Sequence, residues 1–372
     1  MLRGWGVKGN SHRPLGHVKR IAWPRAILHL DMDAFFVNVH ILEHPEDKGI
    51  PLAVGGKPGQ RGVIASASYE ARKKGVRSAM ASSKALKLCP KLKLVSSNRP
   101  LIRSSSAKIM EILSRYGILE RMSVDEAFVD LSLQKNPVAL IQTILKRIKK
   151  ETNLPASAGL ATSKLVAKIA SDFDKPEGFT VIEPGSESKF LAPLEIRKIY
   201  GIGPKTASIL NGFGVKTCSD LVAIDIQKLQ PTFSQYSVSL KNKAKGIDDR
   251  PVDSSPWVAK QQGTENTFDK DIKDAEVVES ALQELCKEVS DSIGRMGRSA
   301  RTITIKLRWS NFQTITRQKT VPGVIHKSRD IYKVAKSLLY ENWKPGKPIR
   351  LLGVSASRLG VSDQQKLPLE FE

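Results

Sequence analysis

The stretch Ile27-Leu28-His29-Leu30-Asp31-Met32-Asp33-Ala34-Phe35-Phe36 constrains the fold more than any other part of the chain. Its apolar run has the length of a buried strand, and it ends in two carboxylates followed by two aromatics. Such a strand delivers acidic groups to its C-terminal mouth. Carboxylates there are costly to leave unpaired, and in a chain this basic they point to a bound cation. Another part of the sequence must complete their surroundings.

That part is Ser123-Val124-Asp125-Glu126-Ala127-Phe128-Val129-Asp130-Leu131, a turn running into a short strand with adjacent acids at its start. Neighbouring acids at a strand entrance repel one another unless a cation lies between them. Asp31, Asp125 and Glu126, brought to one sheet edge, would hold two divalent cations that stabilise the attacking and leaving oxygens of an in-line displacement. Mg²⁺ suits such a site, because it prefers hard oxygen ligands and keeps substrate phosphates in its shell. Arg72 and Lys175 are placed to neutralise charge building on a leaving pyrophosphate.

The chain has 372 residues, enough for two or three domains. Sixty Lys and Arg against 37 Asp and Glu leave a formal charge of +23, which attracts a polyanion; nucleic acid fits better than a membrane surface. Cys89, Cys218 and Cys286 lie far apart, which argues against a zinc site or a disulfide framework and fits a reducing cytoplasm. No apolar run approaches membrane-spanning length.

Residues 1–25 carry no acid and read as a disordered basic arm, either an extension or the product of a start codon placed too early. A helix beginning near Tyr69 sets Tyr69 and Arg72 on one face, and a phenol, a guanidinium and helix N–H groups suit a triphosphate; an ordinary surface helix is the alternative. Strands at 27–31, 127–131 and 156–161, separated by helices that include 138–150 and 164–170, predict an α+β sheet with helices on one face. Between about 190 and 250 the pattern changes to short helices. There Gly201-Ile202-Gly203-Pro204-Lys205 forms a hairpin whose glycines let backbone approach a phosphate at a helix start, a way to grip DNA without reading its sequence. Gly212 to Thr217 is a second, similar stretch.

Farther on, strand 264–270, helix 275–293, strands 301–309 and 312–321, helix 327–342 and strand 349–358 spell βαββαβ. In the second of these strands Ile303, Ile305, Leu307 and Trp309 alternate with Thr302, Thr304, Lys306 and Arg308. One face therefore packs on helices, and the other is a basic platform for a DNA backbone or a plain solvated surface. Leu367, Leu369 and Phe371 place apolar side chains in a polar tail, as in a peptide that docks in a partner's groove.

Four of these stretches resemble, in order and spacing, the motifs of the Y-family DNA polymerases, and of their DinB-type branch in particular. They are Leu30 to Phe36, Tyr69-Glu70-Ala71-Arg72, Ser123 to Ala127, and Lys168-Ile169-Ala170-Ser171-Asp172 through Lys175-Pro176. The resemblance implies a right-hand polymerase with a palm at 26–33 and 98–188, fingers at 34–97 and a helix-hairpin-helix thumb at 189–249. A linker at 250–263, a little finger at 264–358 and a tail at 359–372 follow. It implies translesion synthesis: addition of deoxynucleotides to a primer 3′ end with two Mg²⁺, at low fidelity and without a proofreading nuclease, in DNA repair and damage tolerance.

By the same resemblance Asp31, Asp125 and Glu126 are the catalytic carboxylates and, with the backbone carbonyl of Met32, the metal ligands. Phe35, Phe36, Tyr69, Arg72 and Lys175 fall on the incoming deoxynucleoside triphosphate, with Phe36 at the gate that rejects a 2′-hydroxyl. Asp33 is expected to be structural, paired with a basic neighbour. Gly201, Gly203, Lys205, Lys306 and Arg308 are the expected contacts to primer-template DNA. Gln365, Leu367, Leu369 and Phe371 form a sliding-clamp peptide, although Lys366 departs from the family's Gln-Leu-x-Leu pattern. The implied protein is a bacterial, cytoplasmic, nucleoid-associated monomer without membrane contact. A non-catalytic DNA-binding scaffold, or an enzyme restricted to deoxycytidine transfer, are the competing readings.

Overall fold

The computed structural model describes residues 22–361. Most of the basic arm and the whole clamp-type peptide at Gln365 to Phe371 lie outside the described residues. The chain divides into two compact units, one built from residues up to 55 with 64–78 and 88–255, the other from 56–63, 79–87 and 256 onward.

In chain order the first elements are β1 (Ile27–Met32), α1 (Phe35–Glu43), β2 (Leu52–Gly55), β3 (Ile64–Ala67), α2 (Tyr69–Lys73), α3 (Ser82–Leu88) and β4 (Lys93–Val95). Next come α4 (Arg99–Ser114), β5 (Ile118–Arg121), β6 (Glu126–Asp130), α5 (Pro137–Thr152), β7 (Ala156–Ala161), α6 (Lys164–Ser171) and β8 (Phe179–Val181). The first unit carries a five-stranded sheet of order β5-β6-β1-β7-β8 and a small sheet of order β3-β2-β4. β1 is the central strand, antiparallel to both of its neighbours.

The alternation along β1 explains the layers. Leu28, Leu30 and Met32 point to one face, where they pack with Ile109, Ile112 and Leu113 of α4 and Ile141, Ile144 and Ile148 of α5. Ile27 and His29 point to the other face, where Ile27 joins Leu165 and Val166 of α6 and His29 bonds Ser171. Helices thus cover both faces of the sheet, which corrects the expectation of one. Small residues make this arrangement fit: a Cβ on Gly159 would lie 2.1 Å from the carbonyl oxygen of Ala167 and 2.4 Å from the amide of Ser171. Only glycine lets α6 settle this close to β7. Ser163 caps α6 by accepting from the Val166 amide.

The helical segment that follows comprises α7 (Glu187–Leu191), α8 (Pro204–Gly212), α9 (Cys218–Ala223), α10 (Ile226–Phe233) and α11 (Tyr236–Ala244). Pro204 begins α8 with Gly203 at its cap, as the hairpin pattern predicts. The second glycine stretch ends in Thr217, which forms a capping box with Asp220 to start α9. Beyond α11 the chain returns over the start of α6. There Asp248 accepts from the Leu165 amide at 3.0 Å, and buried Lys164 pairs with Glu120 at 2.5 Å.

The second unit contains β9 (Gln261–Ile272), α12 (Ala275–Arg295), β10 (Arg298–Trp309), β11 (Thr314–Ile325), α13 (Ser328–Asn342), β12 (Ile349–Ser357) and β13 (Gly360–Val361). Its antiparallel sheet runs β11-β10-β12-β9, the expected βαββαβ layer, with β13 pairing to the start of β10. Ile303, Ile305 and Leu307 are buried with the inner faces of α12 and α13. Thr304, Lys306 and Arg308 lie on the opposite face, half-exposed. All three cysteines are free and buried, and burial pushes the Cys218 thiol up to about 11 and the Cys286 thiol up to about 12. Among the described residues no helix is long and apolar enough to cross a membrane.

Gly159→Ala is expected to lower unfolding stability by about 2–3 kcal/mol, because backbone rather than a flexible side chain would have to give way. Urea unfolding measures it; a midpoint unchanged from the parent would mean that α6 does not depend on this close approach.

Candidate active site

Antiparallel pairing sets the C-terminal mouth of β1 against the entrance of β6. Asp31 stands opposite Glu126, and the amide of Met32 donates to the carbonyl of Asp125 at 3.0 Å. Residues distant in sequence therefore meet by register alone.

Each carboxylate is engaged by a different partner. Asp31 lies 2.7 Å from the ammonium of Lys175, which also reaches Asp172 at 2.9 Å. Glu126 pairs with Lys168 at 2.8 Å. Asp125 is more exposed, and Ser123 Oγ donates to it at 2.5 Å. Among the described residues no three His, Cys, Asp or Glu side chains form a closed metal cage. The donor set is nevertheless one of hard oxygens on two adjacent strand ends, which fits a divalent cation once the side chains turn toward it.

Electrostatic tension marks the edge. Burial pushes the Asp31 carboxyl up to about 7, although Lys175 pulls the other way; the nearby charges of Glu126 and Asp172 add to the rise. Burial also opposes the charge on Lys175, but Asp31 and Asp172 hold its ammonium above the usual lysine range. On the same face His29 is buried and kept neutral, first by burial and then by the charges of Lys168 and Lys175. Ser171 donates to the carbonyl of Lys168 at 2.8 Å, so the His29 Nδ1–H donates to Ser171 Oγ, also at 2.8 Å.

Asp33 takes partners other than the lysines of this cluster. It is buried, and it accepts from the Tyr69 hydroxyl at 3.0 Å, from Ser157 Oγ at 3.0 Å and from the Glu177 amide at 2.8 Å. Its partners are hydroxyls and an amide, so the expected basic neighbour is replaced by neutral donors that the sheet and α2 supply. Burial first, and then the charge of Asp33 and this bond, raise the Tyr69 phenol above its ordinary range. The Arg72 guanidinium lies over the Tyr69 ring at 4.9 Å, and its Nε donates to the carbonyl of Ala67 at 2.9 Å, so the two residues share a face as their spacing indicates. Phe35 is 2 % exposed within the core, which leaves its backbone amide rather than its ring to meet a ligand. Phe36 is half-buried, its ring 5.9 Å from that of Phe35.

The remaining sequence-designated residues lie elsewhere. Gly201 adopts φ +93°, and Gly203 and Lys205 are exposed at the start of α8. Lys306 pairs with Glu265 at 2.7 Å, and Arg308 Nε donates to Thr314 Oγ1 at 2.8 Å. Sequence reasoning did not single out Lys168, Ser123 or Ser157. Lys168 had a signal: it precedes Asp172 by four residues and Lys175 by seven, the spacing of one helix face.

Models of the impB/mucB/samB family match residues 30–172, those of the family's C-terminal domain match 259–369, and the IMS family HHH motif matches 184–215. The chain is 39% identical to the DNA polymerase IV of Akkermansia muciniphila, over 93% of this chain and 99% of that protein. It is also 39% identical to the DNA polymerase IV of Dehalococcoides mccartyi, over 91% of this chain and 87% of that one. Among solved structures it is similar to a Y-family DNA polymerase chimera, with a TM-score of 0.81 at 26% identity, covering 91% of this chain and all of the other.

The raised Asp31 carboxyl has a consequence for stability. An unfolded aspartate ionises near pH ~4, whereas Asp31 does so near 7. Between those values the folded chain binds the extra proton, so Asp31 costs stability progressively as pH rises from about 4 to about 7, and the full cost applies above. Asp31→Asn should therefore raise the Tm by about 5 °C at pH 8 and leave it nearly unchanged near pH 4. Thermal melts across that range test the sign; equal shifts at both ends would remove the titration of Asp31 as the cause.

Proposed function

Because this chain belongs to the DinB-type branch of the Y-family DNA polymerases, and is accordingly a template-directed DNA polymerase of the translesion type, we propose that Asp31, Asp125 and Glu126 form its catalytic centre. The observation that carries this reading is the register that sets Asp31 opposite Glu126, with Met32 bonded to Asp125. The family uses divalent metal. Here the three carboxylates and the Met32 carbonyl would hold two Mg²⁺, which when bound supply charge stabilisation at the primer 3′-hydroxyl and at the leaving pyrophosphate.

The protein's own groups divide the remaining work. Lys175 and Arg72 neutralise the triphosphate, and the Tyr69 hydroxyl, held by Asp33, fixes the ring on which Arg72 lies. The first turn of α1, at Phe35 and Phe36, leaves N–H groups without helical partners, which suits an anion arriving beside Asp31. Phe36 supplies the ring that a 2′-hydroxyl would strike. Gly201, Gly203 and Lys205 grip the DNA backbone at the start of α8, and Lys306 and Arg308 do so from the open sheet face of the second unit. The tail residues Gln365, Leu367, Leu369 and Phe371 recruit the sliding clamp.

Asp31→Ala and Asp125→Ala are each expected to reduce primer extension about 10²-fold or more while primer-template binding persists. Gel-based extension alongside fluorescence anisotropy measures both; near-parent extension by either variant would remove that residue from the site. Phe36→Ala should admit ribonucleotides in the same assay with single nucleotides. Unchanged sugar discrimination would dismiss Phe36 as the gate. A scaffold without chemistry predicts no extension at all, and a deoxycytidine transferase predicts incorporation of that nucleotide alone.

A further inference from the structure

One cavity of the first unit joins the catalytic edge to the Gly201 hairpin, a connection that the roles above leave unused. It holds about 560 Å³ and is lined on one side by Lys168 and Asp172, and on the other by Arg197, Lys198, Tyr200 and Gly201. Both residues of the first wall lead back to the catalytic edge. Lys168 pairs with Glu126, and Asp172 shares Lys175 with Asp31. The second wall brings two cations and a glycine at φ +93°, where the chain presents backbone instead of a side chain. Lys168 belongs to both surroundings: its side chain is 18% exposed, and its ammonium also lies 5.7 Å from the centroid of the Tyr200 ring.

Lys168, Arg197 and Lys198 stand at a cavity whose remaining lining is largely apolar, and three cations with the open backbone at Gly201 suit a phosphodiester. A primer whose 3′-hydroxyl is aimed at the edge formed by Asp31 and Glu126 has its last internucleotide phosphate one nucleotide back from it. The cavity, joined to that edge through Lys168, is where such a phosphate can be received. The ammonium of Lys168 cannot serve Glu126 and a phosphate at full strength together. Lys168 would be released if the charge of Glu126 were taken up by a bound divalent cation.

We propose that Lys168 is a primer contact that changes partner, leaving Glu126 when the cation binds and donating to the last internucleotide phosphate of the primer in this cavity. The inference rests on the polymerase reading of the site and adds to it a reason for metal and primer to favour each other's binding. Such coupling is reciprocal, so each tightens the other by the same factor.

The test pairs a primer whose last internucleotide linkage is a neutral methylphosphonate with the variants Lys168→Met and Lys168→Arg. For the parent protein, the KM for primer-template should rise about tenfold on the neutral linkage. Lys168→Met should show that rise already on the native primer and none beyond it on the neutral one, while Lys168→Arg should stay within about threefold of the parent on the native primer. No penalty for the neutral linkage in the parent protein, or an equal penalty in parent and Lys168→Met, would overturn the proposal. A second readout needs no turnover: Ca²⁺ should tighten anisotropy-detected primer-template binding severalfold in the parent and leave Lys168→Met unchanged. Equal tightening in both would also overturn it. Failure of the polymerase reading itself would appear differently, as absence of extension by the parent protein on the native primer.

Discussion

Like charges on adjacent strands repel, and this protein gathers them deliberately at one sheet edge. Asp31 and Glu126 face each other across the central pair of strands, in surroundings where burial already disfavours the ionised form of Asp31. What makes the edge tolerable in the fold is positive charge from one short segment. Lys168 projects from α6 and Lys175 follows just after it, and each pairs with a different carboxylate. The position of α6 thus governs the chemistry. That position is set by the missing side chain of Gly159, by the Ser163 cap, and by the returning chain that ties Asp248 and Lys164 over its first turn.

Much of this was legible in the sequence because it is local. A strand that ends in acids, a turn with two acids, the proline after two glycines and the alternating residues of β10 each announce their element by composition and period. The order βαββαβ was readable for the same reason. Register was not. Nothing in the one-dimensional pattern says that Asp31 stands opposite Glu126 rather than two residues away, because pairing is decided by packing on both faces. The placement of helices on both faces escaped for a related reason: it depends on a single glycine meeting the carbonyl of Ala167, a contact between residues of different elements.

Polar partnerships were the least legible. Asp33 reads as an acid in search of a base, yet its three donors are a phenol, a serine and an amide brought from three separate segments. Family resemblance singled out Lys175, whereas Lys168, which holds the other carboxylate, stood in the same motif without a role. The distinction matters for how the site behaves. Two lysines on two acids make a site that is neutralised before any ligand arrives, so binding exchanges one set of ionic partners for another and avoids creating charge in a buried place.

The cysteines carry a consequence of a different kind. A thiol reacts with oxidants and electrophiles as its thiolate, and Cys218 and Cys286 are held in their protonated forms by burial, with Cys89 enclosed as well. The chemical insults that scar a template are often the same ones that attack exposed thiols. A polymerase without an accessible thiolate among its described residues offers those reagents no ready cysteine nucleophile, so its thiols stay protected under the conditions in which damaged templates accumulate.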